Sequence, residues 1–157
     1  MNGTGPTAVI SLKGMLREYG PELERAPRVV YIGRACYQGH WRLARSDWAN
    51  PFTVQQMGGA EKAVEAYRRW LLAPGQAELR ARIVPELRGR RLACWCRSGQ
   101  PCHGAVLALA ADEGLRALTD IGHAPRDGDC GDGYADAPVR LRHVVPVVLR
   151  PDWASVL

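Results

Sequence analysis

The stretch LACWCRSGQPCHG, Leu92–Gly104, holds the densest chemistry in the chain. Cys94, Cys96 and Cys102 fall within nine residues, and His103 follows directly. Thiolates and imidazole are ligands for zinc or iron, so Cys94, Cys96, Cys102 and His103 are a candidate metal set. The spacing C-x-C-x5-C-H is not that of a zinc ribbon or finger, and neighbours at 102 and 103 would be strained as joint ligands. A second chemistry is a reactive thiol. Cys102 would be the nucleophile, with His103 or a distant histidine (His40, His123 or His143) as base. A third is an anion pocket, because a helix beginning near Cys102 offers free N–H groups and a partial positive charge. Against these stands simple packing, since free cysteines often behave as small buried hydrophobes. That reading suits Cys94 and Cys96 better than the Cys102–His103 pair.

A second constellation lies in RACYQGHWRLARSDWANPF, Arg34–Phe52, where arginines alternate with aromatic rings. Such interleaving suits nucleosides, nucleotides or single-stranded nucleic acid. Arg34 would hold an anionic group, Trp48 would stack on a ring, and Asn50 would read a polar edge. The competing reading has Trp48 and Phe52 plugging the core and Asn50 capping a turn. DGDCGDG, residues 127–133, lacks the spaced ligands and final Glu of a calcium loop. His123, Asp127 and Asp129 form a weak candidate for non-haem iron.

These residues need elements to place them. RVVYIG, residues 28–33, reads as a buried strand ended by glycine. ISLKGMLREYG before it reads as a strand end or a short helix. Ala63, Ala66, Tyr67, Trp70 and Leu71 share one helical stripe in a segment ended by Pro74-Gly75. QAELRARIVPELRG predicts a second helix, kinked or restarted at Pro85 and stopped by Gly89. RRLACWC predicts a strand with Cys94 and Cys96 on one face and Trp95 on the other. CHGAVLALAADEGL predicts a helix ending at Gly114. LRALTDIGHA reads as another short strand, and VRLRHVVPVVLR as an extended edge segment, Pro146 suiting an edge. Strand, helices, strand, helix is an α/β order with a mainly parallel, Rossmann-like sheet flanked by helices. Ligands of such sheets bind beyond the carboxyl ends of the strands.

The totals bound these readings. A chain of 157 residues is read as a single α/β domain, 1–157, with a core at about 29–109 and a C-terminal extension at about 120–157. A hydrophobic share of 46% and a charged share of 24% are those of a globular protein. No apolar run reaches the roughly 18 residues of a membrane span. The N-terminal stretch lacks the pattern of a secretory signal, so a cytosolic protein with reduced thiols is expected. Net charge is +5, and Lys13 and Lys62 are the only lysines. Arginine's planar fork suits phosphate and carboxylate.

VVYIGR, then W-x-N-P-F, YRRWL, LRGRRLACWC and PCHG-x-V-L together resemble a small family of bacterial and phage proteins, a domain of unknown function. The resemblance runs from about Val29 to Leu109. More distantly, a strand ending in cysteine followed by C-H at a helix start looks like a second uncharacterised α/β family. The resemblance falls on Gly33, Arg34, Trp48, Asn50, Pro51, Phe52, Cys94, Trp95, Cys96, Pro101, Cys102, His103 and Gly104. It implies a site built from two loops and adds Gly33 and Gly104 to the candidate ligand-binding positions.

The leading expectation is a small cytosolic enzyme acting on a nucleoside, nucleotide or similar polar heterocycle by glycosidic cleavage, group transfer or hydrolysis. Its pocket would lie between the 34–52 loop and the 96–103 turn, with Cys102 and His103 catalytic. One alternative is a zinc- or iron-dependent enzyme on a similar molecule. Another is a non-catalytic nucleic-acid-binding domain, whose binding would fall steeply with salt.

Overall fold

The computed structural model describes residues 5–13, 23 and 26–120. Three short parallel strands form the sheet: β1 (Ala8–Ser11), β2 (Val29–Tyr31) and β3 (Arg91–Cys94). The order is β1-β3-β2, with Ala8 and Val29 both level with Arg91. β3 is therefore central and runs from half-buried Arg91 to fully buried Leu92, Ala93 and Cys94. A strand covered on both faces needs apolar residues at successive positions. The two faces separate by alternation. Val9, Leu92 and Cys94 join the larger core, while Ile10, Ala93 and Trp95 join a smaller one with Leu12, Trp41 and Leu43. The expected division of Cys94 and Cys96 from Trp95 follows this alternation, although the strand itself ends at Cys94.

Five helices follow among the described residues. α1 (Val54–Met57) opens with a capping box, in which Thr53 and Gln56 bond each other's backbone N–H. α2 (Ala60–Leu72) buries Ala63, Val64, Tyr67 and Leu71. A 3-10 turn at Pro74–Gln76 leads into α3 (Ala77–Leu87). α3 runs through Pro85 without a restart, and Gly89 beyond it takes φ 69°. Pro85 lies near the C-terminal end, so it forfeits one intrahelical bond, to the Ala81 carbonyl, and the helix ends soon after. α4 (His103–Glu113) is apolar on nearly all sides and packs on the sheet against α2 and α3. α5 (Leu115–Asp120) is a helix where the sequence suggested a strand. Leu, Arg and Ala are good helix formers, and α5 packs back on α4, burying Leu118.

The chain is thus α/β with a small parallel sheet. The predicted C-terminal edge segment and the region beyond 120 lie outside the described residues, as do His123 and His143. Among the described residues no helix is long and apolar enough to cross a membrane.

Candidate functional site

β3 delivers Cys94 at its last residue, and the backbone then turns through Trp95–Pro101 to the start of α4. Cys102 is the N-cap of that helix, and its Sγ accepts the Gly104 N–H at 3.3 Å. The turn brings the Sγ atoms of Cys94, Cys96 and Cys102 within 4.8 Å of one another. Those of Cys94 and Cys102 lie 3.2 Å apart. A tetrahedral ion with metal–sulfur bonds of about 2.3 Å places its sulfurs about 3.8 Å apart. The trio is sized for one thiophilic ion rather than a polynuclear cluster, and it is a set of three ligands that can hold a metal such as zinc.

The three thiols are electrostatically unequal. Cys96 is held far below the ordinary thiol range. Its hydrogen bond to Cys102 contributes most, that to Cys94 next, and His103 adds to them against the opposing effect of burial. Cys94 is pulled down by Cys102, but hydrogen bonding to Cys96 and burial outweigh this and push it up to about 12. Cys102 is raised by Cys94, by Cys96 and by burial. Of the three thiols, Cys96 is therefore the one most inclined to lose its proton.

His103 does not complete the sulfur set. Its Nε2 lies 2.8 Å from the Ile32 carbonyl oxygen, which can only accept, so Nε2 carries a proton. Nδ1 is left as the ring nitrogen available to Cys96. The ring packs edge-on against Tyr67 at 5.1 Å. With Nε2 held by the Ile32 carbonyl, His103 is not among the residues whose ligand atoms converge within 4.8 Å. The four-ligand expectation is corrected to three.

A cavity of about 380 Å³ opens directly on this cluster, walled by the 34–52 loop and the 95–101 turn. It sits beyond the carboxyl edge of the sheet. Cys94, Cys96 and His103 line it, and Cys102 does not. Cys102 is 6% exposed and lies behind its partners, whereas Cys96 faces the cavity. His40 is exposed and lies outside the lining.

The loop residues are placed differently from their expected roles. Arg34 lines the cavity, and its Nε and Nη2 also donate to the Asn50 and Phe52 carbonyls. Asn50 lines it too, but its side chain donates to the Ala63 carbonyl at 3.0 Å and accepts from the Phe52 N–H at 2.8 Å. It ties the loop to α2. Trp48 is 3% exposed within the larger core, with the Arg82 guanidinium over its ring at 5.5 Å. Both faces are therefore occupied by protein, and the stacking role is not available to it. Phe52 and Trp95 are the aromatic residues that line the cavity. Gly33 lines the cavity, and a Cβ there would meet the Tyr31 ring. Gly104 serves packing: a Cβ would come within 2.9 Å of Ile32 Cδ1 and 3.0 Å of Val9 Cγ1.

Lys13 and Arg97 also line the cavity, and sequence reasoning did not single them out. The available signal was position, since each lies just past the end of a parallel strand.

The fold and site define a small α/β protein with a three-cysteine cluster beside a loop-walled pocket. The chain belongs to the family described as Domain of unknown function (DUF4326), which matches residues 17–113, more than half of its length. An uncharacterized protein of Acanthamoeba polyphaga mimivirus is 39% identical over 85 residues. That alignment covers 50% of this chain and 62% of the viral protein. No solved structure matches.

Proposed function

We propose that this protein is a metal-dependent enzyme that acts on a small, nucleotide-like molecule by hydrolysis or group transfer. The observation that carries this is the convergence of the Cys94, Cys96 and Cys102 sulfurs beside a ligand-sized pocket that Cys94 and Cys96 line. Three protein ligands with an open fourth position are the arrangement of catalytic zinc sites, whereas structural sites close with four. A bound divalent ion supplies Lewis-acid chemistry there. His103 is held in orientation by the Ile32 carbonyl and lines the cavity with Cys94 and Cys96. Phe52 and Trp95 offer faces for a heterocycle. A volume of about 380 Å³ favours a small molecule over a nucleic-acid strand.

The test is elemental analysis of protein purified without added metal, followed by cobalt(II) substitution. About one equivalent of zinc or iron, and thiolate-to-cobalt charge-transfer absorption that disappears in Cys96→Ser, are expected. Full-length, folded protein with no metal and no cobalt spectrum would leave the thiol reading. That reading is favoured by one specific feature, the lowered Cys96 thiol facing the cavity.

A further inference from the structure

We propose that the ligand is a small phosphomonoester whose phosphate is received by Lys13, Arg34 and Arg97, one cation from beyond the carboxyl end of each strand. β1 ends at Ser11 and Lys13 follows; β2 ends at Tyr31 and Arg34 follows; β3 ends at Cys94 and Arg97 follows. Parallel strands place their carboxyl ends at one edge of the sheet, and all three side chains line the same cavity. Among the described residues no aspartate or glutamate lines it.

The cation-only rim favours an anion. Three positive charges with no carboxylate among the lining residues suit a phosphomonoester dianion better than a neutral nucleoside. Arg34 is pre-organised for the task, because the carbonyls of Asn50 and Phe52 fix its guanidinium plane. The Nε and Nη2 hydrogens are spent on those carbonyls, which leaves Nη1 to donate to a phosphate oxygen. A cavity of about 380 Å³ takes one nucleotide or sugar phosphate, at the small end of ligand pockets.

This inference rests on the pocket being the ligand site of the proposed enzyme. The experiment is calorimetric titration of the full chain, with metal content assayed on every sample. The probes are adenosine 5′-monophosphate, ribose 5-phosphate, inorganic phosphate and adenosine. The phosphate-bearing probes should bind, with adenosine at least about tenfold weaker than its monophosphate, as expected for charge-assisted bonds. Arg97→Ala and Lys13→Ala should each weaken the monophosphate about tenfold while retaining metal. Adenosine binding as tightly as the monophosphate, or unchanged affinity in both variants, would overturn it. So would metal-loaded protein that binds none of the phosphate probes. Phosphate binding by metal-free protein would sustain this inference and count against the metal reading alone.

Discussion

The Cys94 and Cys102 sulfurs lie 3.2 Å apart although eight positions separate them in sequence. One closes the central strand and the other caps the helix packed on it. Two thiols held in contact are poised to be joined, with their two electrons passing to an added oxidant. In metal-free protein, diamide should convert Cys94 and Cys102 to a disulfide while being reduced to its hydrazine. Peptide mass mapping should show the pair cross-linked and lighter by two hydrogens. Zinc-loaded protein should resist, because its thiolates are committed to the ion. Equal oxidation with and without zinc would contradict a shared metal site.

The Cys96 thiol should be the first of the three to alkylate. An ordinary thiol near 9.0 loses reactivity about tenfold per pH unit below that value, because only the thiolate attacks. Cys96 is held below 9.0, so its iodoacetamide rate should stay nearly flat from pH 9 down to neutral. Cys94, pushed up to about 12, should react far more slowly over the same range. Linkage has the same sign: a lowered thiol contributes stability that is full above 9.0 and is lost as pH falls through its folded value. Equal labelling of Cys94 and Cys96 at neutral pH in reduced, metal-free protein would refute this asymmetry.

Gly104→Ala should disturb the cysteine cluster without touching a cysteine. The added methyl would press on Ile32 and Val9, the sheet residues beneath α4. Overpacking of this kind costs about 1–3 kcal/mol. Because Cys102 and His103 open the same helix, lifting it off the sheet should also weaken metal binding. Denaturant unfolding and a zinc competition assay read the two effects. A variant as stable and as tight as the parent would show that the helix has room to move.

Much of this frame is legible in the sequence because it depends on local pattern. The Tyr67–Leu71 stripe, the strand alternation through Leu92–Cys94 and the glycine stops all act over a few residues. What resists reading is direction. Trp48 looks like a stacking platform, yet it is buried by partners remote in sequence, Tyr67 and Arg82 among them. Cys102 looks like the exposed thiol because it starts a helix, yet the 95–101 turn sends Cys96 to the cavity. Lys13 and Arg97 gain meaning only once the three strands are known to be parallel and adjacent.

Tyr67 holds the long loop from within the core, its hydroxyl donating to the Trp48 carbonyl at 2.9 Å. Tyr67→Phe keeps the ring and removes that bond, leaving a buried carbonyl unpaired. The expected loss is about 1–3 kcal/mol in denaturant unfolding. A loss well under that range would mean that water reaches the Trp48 carbonyl.

Arg34→Lys separates charge from geometry at the pocket's edge. Lysine keeps the positive charge but cannot span the Asn50 and Phe52 carbonyls as the planar guanidinium does. These two residues sit just before the Thr53 cap of α1, so the clamp fixes where the loop ends and the helix begins. Amide hydrogen exchange should accelerate across residues 50–53 in the variant and stay unchanged in β3. Global stability should fall only slightly, by about 1 kcal/mol, because the clamp is partly exposed to solvent. Arg34→Lys should therefore bind a phosphate probe more weakly than the parent despite its equal charge. Exchange rates and affinity matching the parent would show that charge alone matters at this position.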